Sequence, residues 1–200
     1  MPRNKIPKKD EKIRKKKILV ISDGLTECNY IKGYIVYHPK LKELYDFVYK
    51  PQLSNTRSIY NTIKATYQTY EWIFALTDKD GDNHKKDIYN SFCVSDRTFD
   101  NLTPGFSNPS FEIWLYLHNN LQYSSIGRYE LSKLFEKQLG KKFKSDPMLF
   151  NNFKDDIDTA IINSEKLISY WDNTKSTSFC NRNPICNVHN IIKKIKNLDS

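Results

Sequence analysis

The chain has 200 residues and a formal net charge of +9, and 38% of its residues are hydrophobic. This composition is typical of a globular protein with a core and excludes an intrinsically disordered chain. No apolar run approaches the roughly 18 residues that a membrane span requires, and the N-terminus lacks the apolar segment of a signal peptide. We therefore expect a cytoplasmic protein with no membrane association.

The first segment of the chain, residues 1–16, is predicted to be a basic, flexible arm. Residues 1–17 contain nine basic and two acidic side chains, which account for most of the net charge. Such a segment can neutralise phosphates without reading a base sequence. It also fits a solvated leader that only improves solubility. Its candidate nucleic-acid contacts are Lys8, Lys9, Arg14, Lys15 and Lys16.

The next segment, residues 17–120, has the pattern of an α/β unit. Residues 18–21 and 71–77 are short, largely uncharged runs of the kind found in parallel strands buried on both faces. Residues 45–49 predict a further strand between them. Helical patterns separate these runs, and this alternation indicates a mostly parallel sheet flanked by helices.

Helix starts are predicted from capping residues. Thr26 is expected to cap a helix that begins near Glu27, and Thr56 is expected to open another. After a polar stretch, residues 105–107 predict a brief fourth strand. Asn108 with Pro109 is then expected to begin a helix, because asparagine caps well and proline suits a first turn.

The last segment, residues 121–200, is predicted to be a helical C-terminal extension packed on the α/β unit. Apolar residues recur there at helical spacing in three stretches. Cys180, Cys186 and His189 lie close together in the sequence, but zinc sites usually have four ligands and tighter cysteine spacing. Reduced, unpaired thiols are the better interpretation of these cysteines.

Acidic residues follow two of the predicted strands directly. Asp23 comes after the first strand, and Asp78 and Asp80 come after the third. If the strands are neighbours, the carboxylates meet at one edge of the sheet and repel one another unless a cation is bound. Mg²⁺ or Mn²⁺ suits such oxygen ligands. Singly, each acid also has a structural explanation, such as Glu27 at a helix N-terminus or Asp80 in a turn.

Two longer motifs resemble those of the RloB family of prokaryotic Toprim-like proteins. They are "DGLTECNYIKGY" at 23–34 and "SNPSFEIWLYLH" at 107–118. The pair Asp78 and Asp80 occupies the position of the family's middle motif. The segment "NPICNVHNII" at 183–192 is similar to the family's C-terminal Asn-Pro segment.

The resemblance implies a Toprim-like (Rossmann-like) fold and a set of site residues. Asp23 takes the place of the Toprim glutamate, which serves as general acid/base or metal ligand, and Glu27 matches the second acid of that turn. Asp78 and Asp80 match the metal-binding pair, and Glu112 matches the acid of the third motif. Aspartate at position 23 is one methylene shorter than glutamate, about 1.5 Å less in reach.

The resemblance also implies a function. The family is associated with restriction and phage-defence gene clusters, often beside an ATPase partner. We expect a Mg²⁺-dependent nuclease or related phosphodiester-processing subunit that acts on DNA or RNA. The alternative is a catalytically weak or inactive module that binds nucleic acid or the partner ATPase.

Three polar residues of the third motif have two interpretations each. Ser107 and Asn108 either cap a helix or help to bind a phosphate at its N-terminus. His118 lies on the apolar stripe of the predicted helix, so it is either a core histidine or a group that orients a metal ligand or contacts phosphate.

Overall fold

The computed structural model of the chain describes residues 15–51, 56–79, 99–140, 142–174 and 177–199. Several of the candidate residues lie outside these ranges, and their roles stay predictions. They are Lys8, Lys9, Arg14 and Asp80.

A five-stranded sheet forms the centre of the fold. Its strands lie in the order β2-β1-β3-β4-β5. Each pair among the first four strands is parallel, and β5 runs antiparallel to β4. The predicted α/β architecture, a mostly parallel sheet flanked by helices, is confirmed. The strands are β1 (Lys16–Ser22), β2 (Tyr45–Pro51), β3 (Trp72–Asp78), β4 (Leu102–Asn108) and β5 (Ile185–Cys186).

Strands β1 and β3 are neighbours in the middle of the sheet. Their apolar runs are buried, from Ile18 to Ser22 and from Ile73 to Asp78. The chain leaves β1 towards β2 on one side and later returns to β3 on the other, so the strand order reverses at this pair. Ligands of open α/β sheets bind at the carboxyl ends of strands beside such a reversal.

Helices cover the sheet. Helix α1 packs on β1 and β2, α3 packs on β3, and α7 packs on β4. The part of the chain after β4 is mainly helical, as predicted. In the ranges described, no helix is long and apolar enough to cross a membrane. The helices are α1 (Leu25–Tyr37), α2 (Pro39–Leu44), α3 (Thr56–Thr66), α4 (Glu112–Tyr116), α5 (Arg128–Leu139), α6 (Ile157–Thr174) and α7 (His189–Asp199).

Two of the predicted helix caps are wrong. The Thr26 hydroxyl does not cap α1, since it accepts a hydrogen bond from the Ser145 N–H at 3.2 Å. Asn108 is the last residue of β4, and α4 begins only at Glu112. The Asn108 amide donates instead to the Arg182 carbonyl at 2.5 Å. In both cases a contact with a distant segment replaces the local cap.

The polar connection between α6 and α7 contains β5, a strand that the sequence did not predict. Ile185 and Cys186 pair with the end of β4. The next residue, Asn187, extends this pairing: its side-chain oxygen accepts from the Phe106 N–H at 2.5 Å, and its own N–H donates to the Phe106 carbonyl at 3.1 Å. The C-terminal part thus completes the sheet, while the proposed domain boundary at residue 120 stays a prediction.

Candidate metal centre

Three carboxylates meet at the carboxyl edge of the sheet. Asp23 directly follows β1, Asp78 is the last residue of β3, and Glu27 lies in the first turn of α1. One carboxylate oxygen from each of the three residues lies within 4.8 Å of the corresponding oxygens of the other two. In the described ranges no other group of three or more acidic, histidine or cysteine side chains is gathered this closely. We call Asp23, Glu27 and Asp78 the acidic cluster; their role as metal ligands stays a prediction.

The turn after β1 fixes Asp23 against the neighbouring strand. The Asp23 carboxylate accepts a hydrogen bond from the backbone N–H of Asp78 at 3.0 Å. The Ser22 hydroxyl donates to the Gly24 carbonyl at 2.5 Å, which tightens the same turn. An aspartate is therefore long enough to reach the end of β3, even though it is shorter than the glutamate that the resemblance implies at this position.

Gly24 leaves the space that the Glu27 carboxylate occupies. The backbone at Gly24 is extended, with φ −132°, so its conformation does not require glycine. A Cβ at this position would lie only 2.5 Å from Glu27 Oε2. The absence of a side chain thus allows Glu27 to turn its carboxylate towards Asp23 and Asp78.

We expect Gly24→Ala to weaken Mn²⁺ binding by about tenfold or more, as displaced metal-site geometry commonly does. The added methyl pushes the mobile end of the Glu27 side chain, so the free energy of unfolding should change by less than about 1 kcal/mol. Isothermal titration calorimetry and urea unfolding measure the two effects. Gly127→Ala is the matched control, because a Cβ at Gly127 meets no atom within 4 Å. Equal Mn²⁺ affinities for the two variants would contradict this account of Gly24.

Burial and mutual repulsion raise the pKa values of two members of the acidic cluster, Glu27 and Asp78. Burial, followed by the negative charge of Asp23 and a smaller effect of Glu112, raises the pKa of Glu27 to about 8. The pKa of Asp78 is raised well above its ordinary value by burial first, and then by Asp23, Glu27 and Glu112. Without a cation, the folded protein holds these carboxylates in a costly arrangement.

The donor set fits a hard divalent cation. The Glu27 side chain is only 6% exposed, and its Oε2 atom has no hydrogen-bond partner. A buried carboxylate oxygen without a donor is costly unless a positive charge lies beside it. Carboxylate oxygens are ligands that Mg²⁺ and Mn²⁺ prefer.

A pocket of about 200 Å³ opens beside the acidic cluster. Glu27, Asp78 and Glu112 line it. Glu112 is the first residue of α4 and is buried, so the pocket adds a further predicted acid to the members of the acidic cluster. Arg128 and Lys144, two cationic residues from the C-terminal part, also line this pocket.

Arg128 and Lys144 were not among the sequence candidates. Arg128 is the first residue of α5, directly after Gly127. A cation at a helix N-terminus is unfavourable because it opposes the helix dipole. This unfavourable charge was a signal in the sequence that Arg128 has a role other than stabilising the helix. Lys144 carried no comparable signal, because it is one of several lysines in a polar stretch.

His118 is a buried residue of an aromatic cluster. Its Nδ1 lies 3.0 Å from the Trp114 carbonyl, which can only accept, so Nδ1 carries the proton. Its Nε2 lies 2.9 Å from the Tyr30 hydroxyl and therefore accepts from it. Burial lowers the pKa of His118 to about 4. The contact joins α1, which carries Glu27, to the α4 region, which carries Glu112, so His118 supports the pocket from the core.

Ser107 and Asn108 also point into the interior. The Ser107 hydroxyl lies 3.8 Å from Cys186 Sγ, and the Asn108 amide donates to backbone carbonyls of the C-terminal segment. Both residues are less than 5% exposed. With His118, they are placed to hold the fold around the pocket, and their burial does not favour direct contact with nucleic acid.

Lys15 and Lys16 lie at the opposite edge of the sheet from the acidic cluster. Lys16 begins β1 and Asp23 follows its end, so the strand separates them by about 20 Å. Lys16 donates to Glu71 at 2.6 Å, and Lys15 donates to the Lys42 carbonyl. Lys15 and Lys16 are therefore distant from the acidic cluster. Contact of the basic arm with nucleic acid stays a prediction.

The cysteines that the structure describes, Cys28, Cys180 and Cys186, form no disulfide bond with one another. Cys180, Cys186 and His189 do not gather into a metal-binding group. The His189 ring donates to the Ser164 hydroxyl at 2.8 Å, because that hydroxyl itself donates to the Cys186 carbonyl at 2.7 Å. This buried pair is structural.

Comparison with known proteins gives one match. The sequence model of a family described as RloB-like protein matches residues 18–195, nearly everything after the basic arm. No curated protein and no solved structure is significantly similar to the chain.

Proposed function

The chain belongs to the RloB-like family, and from this membership together with the acidic pocket we propose that it is a metal-dependent nuclease, or a related phosphodiester-processing subunit, of Toprim type. The proposal includes a prokaryotic defence or restriction system, a nucleic-acid substrate (DNA or RNA), an ATPase partner and a cytoplasmic location. One observation carries it: Asp23, Glu27 and Asp78 converge where the strand order reverses, and a buried oxygen of Glu27 has no hydrogen-bond partner.

The acidic cluster would hold Mg²⁺ or Mn²⁺, with Asp80 as a further predicted ligand. When bound, such an ion neutralises the carboxylates and acts as a Lewis acid towards a phosphodiester. The hydrogen bond from the Asp78 backbone holds the Asp23 carboxylate in place before any ligand arrives.

Glu112 would act as the proton acceptor of the pocket. It lines the same pocket as Glu27 and Asp78 but does not belong to the cluster of three. Its carboxylate would take the proton of an attacking water as the new P–O bond forms. The P–O bond to the leaving oxygen then breaks, and that oxygen takes up a proton from solvent.

The test of this function is strand cleavage by the purified chain with Mg²⁺ or Mn²⁺, on labelled DNA and RNA. We expect cleavage that the double variant Asp78→Ala, Asp80→Ala reduces by at least about 10²-fold, since it removes groups that must be placed to within an ångström. Unchanged cleavage and unchanged divalent-ion binding in the double variant would overturn the proposal.

A non-catalytic binding module is the second candidate, and Asp23 is the observation that favours it. The Toprim glutamate is replaced by a shorter acid, and that acid binds the backbone of β3. The variant Asp23→Glu separates the two functions. An increase in cleavage supports a weakened active site, whereas no cleavage by either protein on any substrate favours the binding module.

A further inference from the structure

The pocket beside the acidic cluster is lined by side chains of both charges. Its acids are Glu27, Asp78 and Glu112, and its cations, Arg128 and Lys144, come from a separate part of the chain. The positive charge of Arg128 reaches the carboxylates, because it lowers the pKa of Glu27 against the stronger effects that raise it. Cations placed here lower the affinity of the pocket for a metal ion, and they give it groups that can bind an anion.

The loop that carries Lys144 is fixed to the first turn of α1. Ser145 donates its N–H to the Thr26 hydroxyl at 3.2 Å, and its carbonyl accepts from the Asn29 amide at 3.1 Å. Ser145 has φ +62°, a left-handed conformation that is uncommon for residues other than glycine. The two hydrogen bonds hold the loop in this conformation at the mouth of the pocket.

We propose that Arg128 and Lys144 bind the anionic phosphate of the substrate beside the acidic cluster, so that the C-terminal part completes the site. This inference rests on the proposed function and adds two substrate-binding residues to it. Arginine binds phosphate with a bidentate fork and lysine binds it as a point charge. The carboxylates hold the cation, and the two basic side chains hold the phosphate against it.

The experiment compares the double variant Arg128→Gln, Lys144→Gln with the wild-type protein in two binding measurements. The probes are Mn²⁺ alone, by calorimetry, and a fluorescein-labelled single strand of about 12 nucleotides, by anisotropy. Ca²⁺ replaces Mn²⁺ in the second measurement where the strand is cleaved. Lys142→Gln is the matched control, an exposed lysine of the same loop that does not line the pocket.

Only the oligonucleotide affinity should fall in the double variant. We expect oligonucleotide affinity to fall by about tenfold or more, since two charge-assisted contacts to phosphate are lost, and Mn²⁺ affinity to stay the same or increase. Unchanged oligonucleotide affinity would overturn the inference. A parallel loss of both affinities would also overturn it, because it shows a structural role. Failure of the wild-type protein to bind Mn²⁺ would overturn the proposed function instead. A loss of oligonucleotide affinity in the double variant would still support phosphate binding by Arg128 and Lys144 in that case.

Discussion

Replacing Asp78 by asparagine is expected to reduce Mn²⁺ affinity by at least about 100-fold and to stabilise the metal-free protein by about 1–2 kcal/mol. The affinity falls because a carboxylate ligand and its charge are lost from the acidic cluster. The stability rises because Asp78 is buried beside Asp23 and Glu27, which raises its pKa well above the ordinary value. Calorimetry with Mn²⁺ and urea unfolding in EDTA measure the two effects.

The matched control for this prediction is Asp46→Asn. Asp46 is an exposed acid on the edge strand β2, away from the cluster. Its removal should leave Mn²⁺ affinity unchanged and alter the stability by no more than about 0.5 kcal/mol, as is usual for surface substitutions. If Asp78→Asn destabilises the metal-free protein and leaves Mn²⁺ affinity intact, the acidic cluster is an ordinary structural feature and not a strained metal site.

The second large effect concerns acid stability and the buried His118. The folded protein holds this imidazole neutral with a pKa of about 4, whereas its ordinary value is 6.5. The unfolded chain therefore binds more protons below pH 6.5, and the contribution of His118 to stability is lost as the pH falls from 6.5 to 4. The loss amounts to about 3 kcal/mol at the acidic end.

The double variant His118→Leu, Tyr30→Phe tests this effect. It removes the imidazole together with the hydroxyl that donates to it, so the Tyr30 hydroxyl is not left buried without its acceptor. Between pH 6.5 and 4, we expect the free energy of unfolding of the double variant to fall by about 3 kcal/mol less than that of the wild-type protein. Tyr30→Phe alone retains His118 and is the control. The low pKa of His189 is common to all three proteins and cancels. Identical pH dependence in the three proteins would show that His118 takes no part in acid unfolding.

The convergence of Asp23 and Asp78 could be predicted from the sequence. Each follows a short apolar run, and the carboxyl ends of neighbouring parallel strands meet at one edge of a sheet. The burial of His118 was likewise visible in the helical spacing of its neighbours. These features depend on local patterns together with one general rule of sheet topology.

Other features depend on contacts between distant segments and were not predictable in this way. Asn108 has the local preference of a helix cap, but its hydrogen bonds to the C-terminal segment place it in β4. Strand β5 is formed by a polar stretch that has no apolar pattern of its own. Arg128 reaches the pocket because α5 packs on α4, and Lys144 reaches it because the following loop is hydrogen-bonded to the first turn of α1.

A crystal structure of the protein grown with saturating Mn²⁺ tests the central claim most directly. The account predicts an anomalous peak within coordination distance of Asp23, Glu27 and Asp78, at about 2.0–2.6 Å from their oxygens. It also predicts that Glu27 Oε2, which has no hydrogen-bond partner in the metal-free protein, is one of the ligands. An empty cluster under these conditions, or manganese bound only elsewhere on the protein, would contradict the claim that these carboxylates form a metal centre.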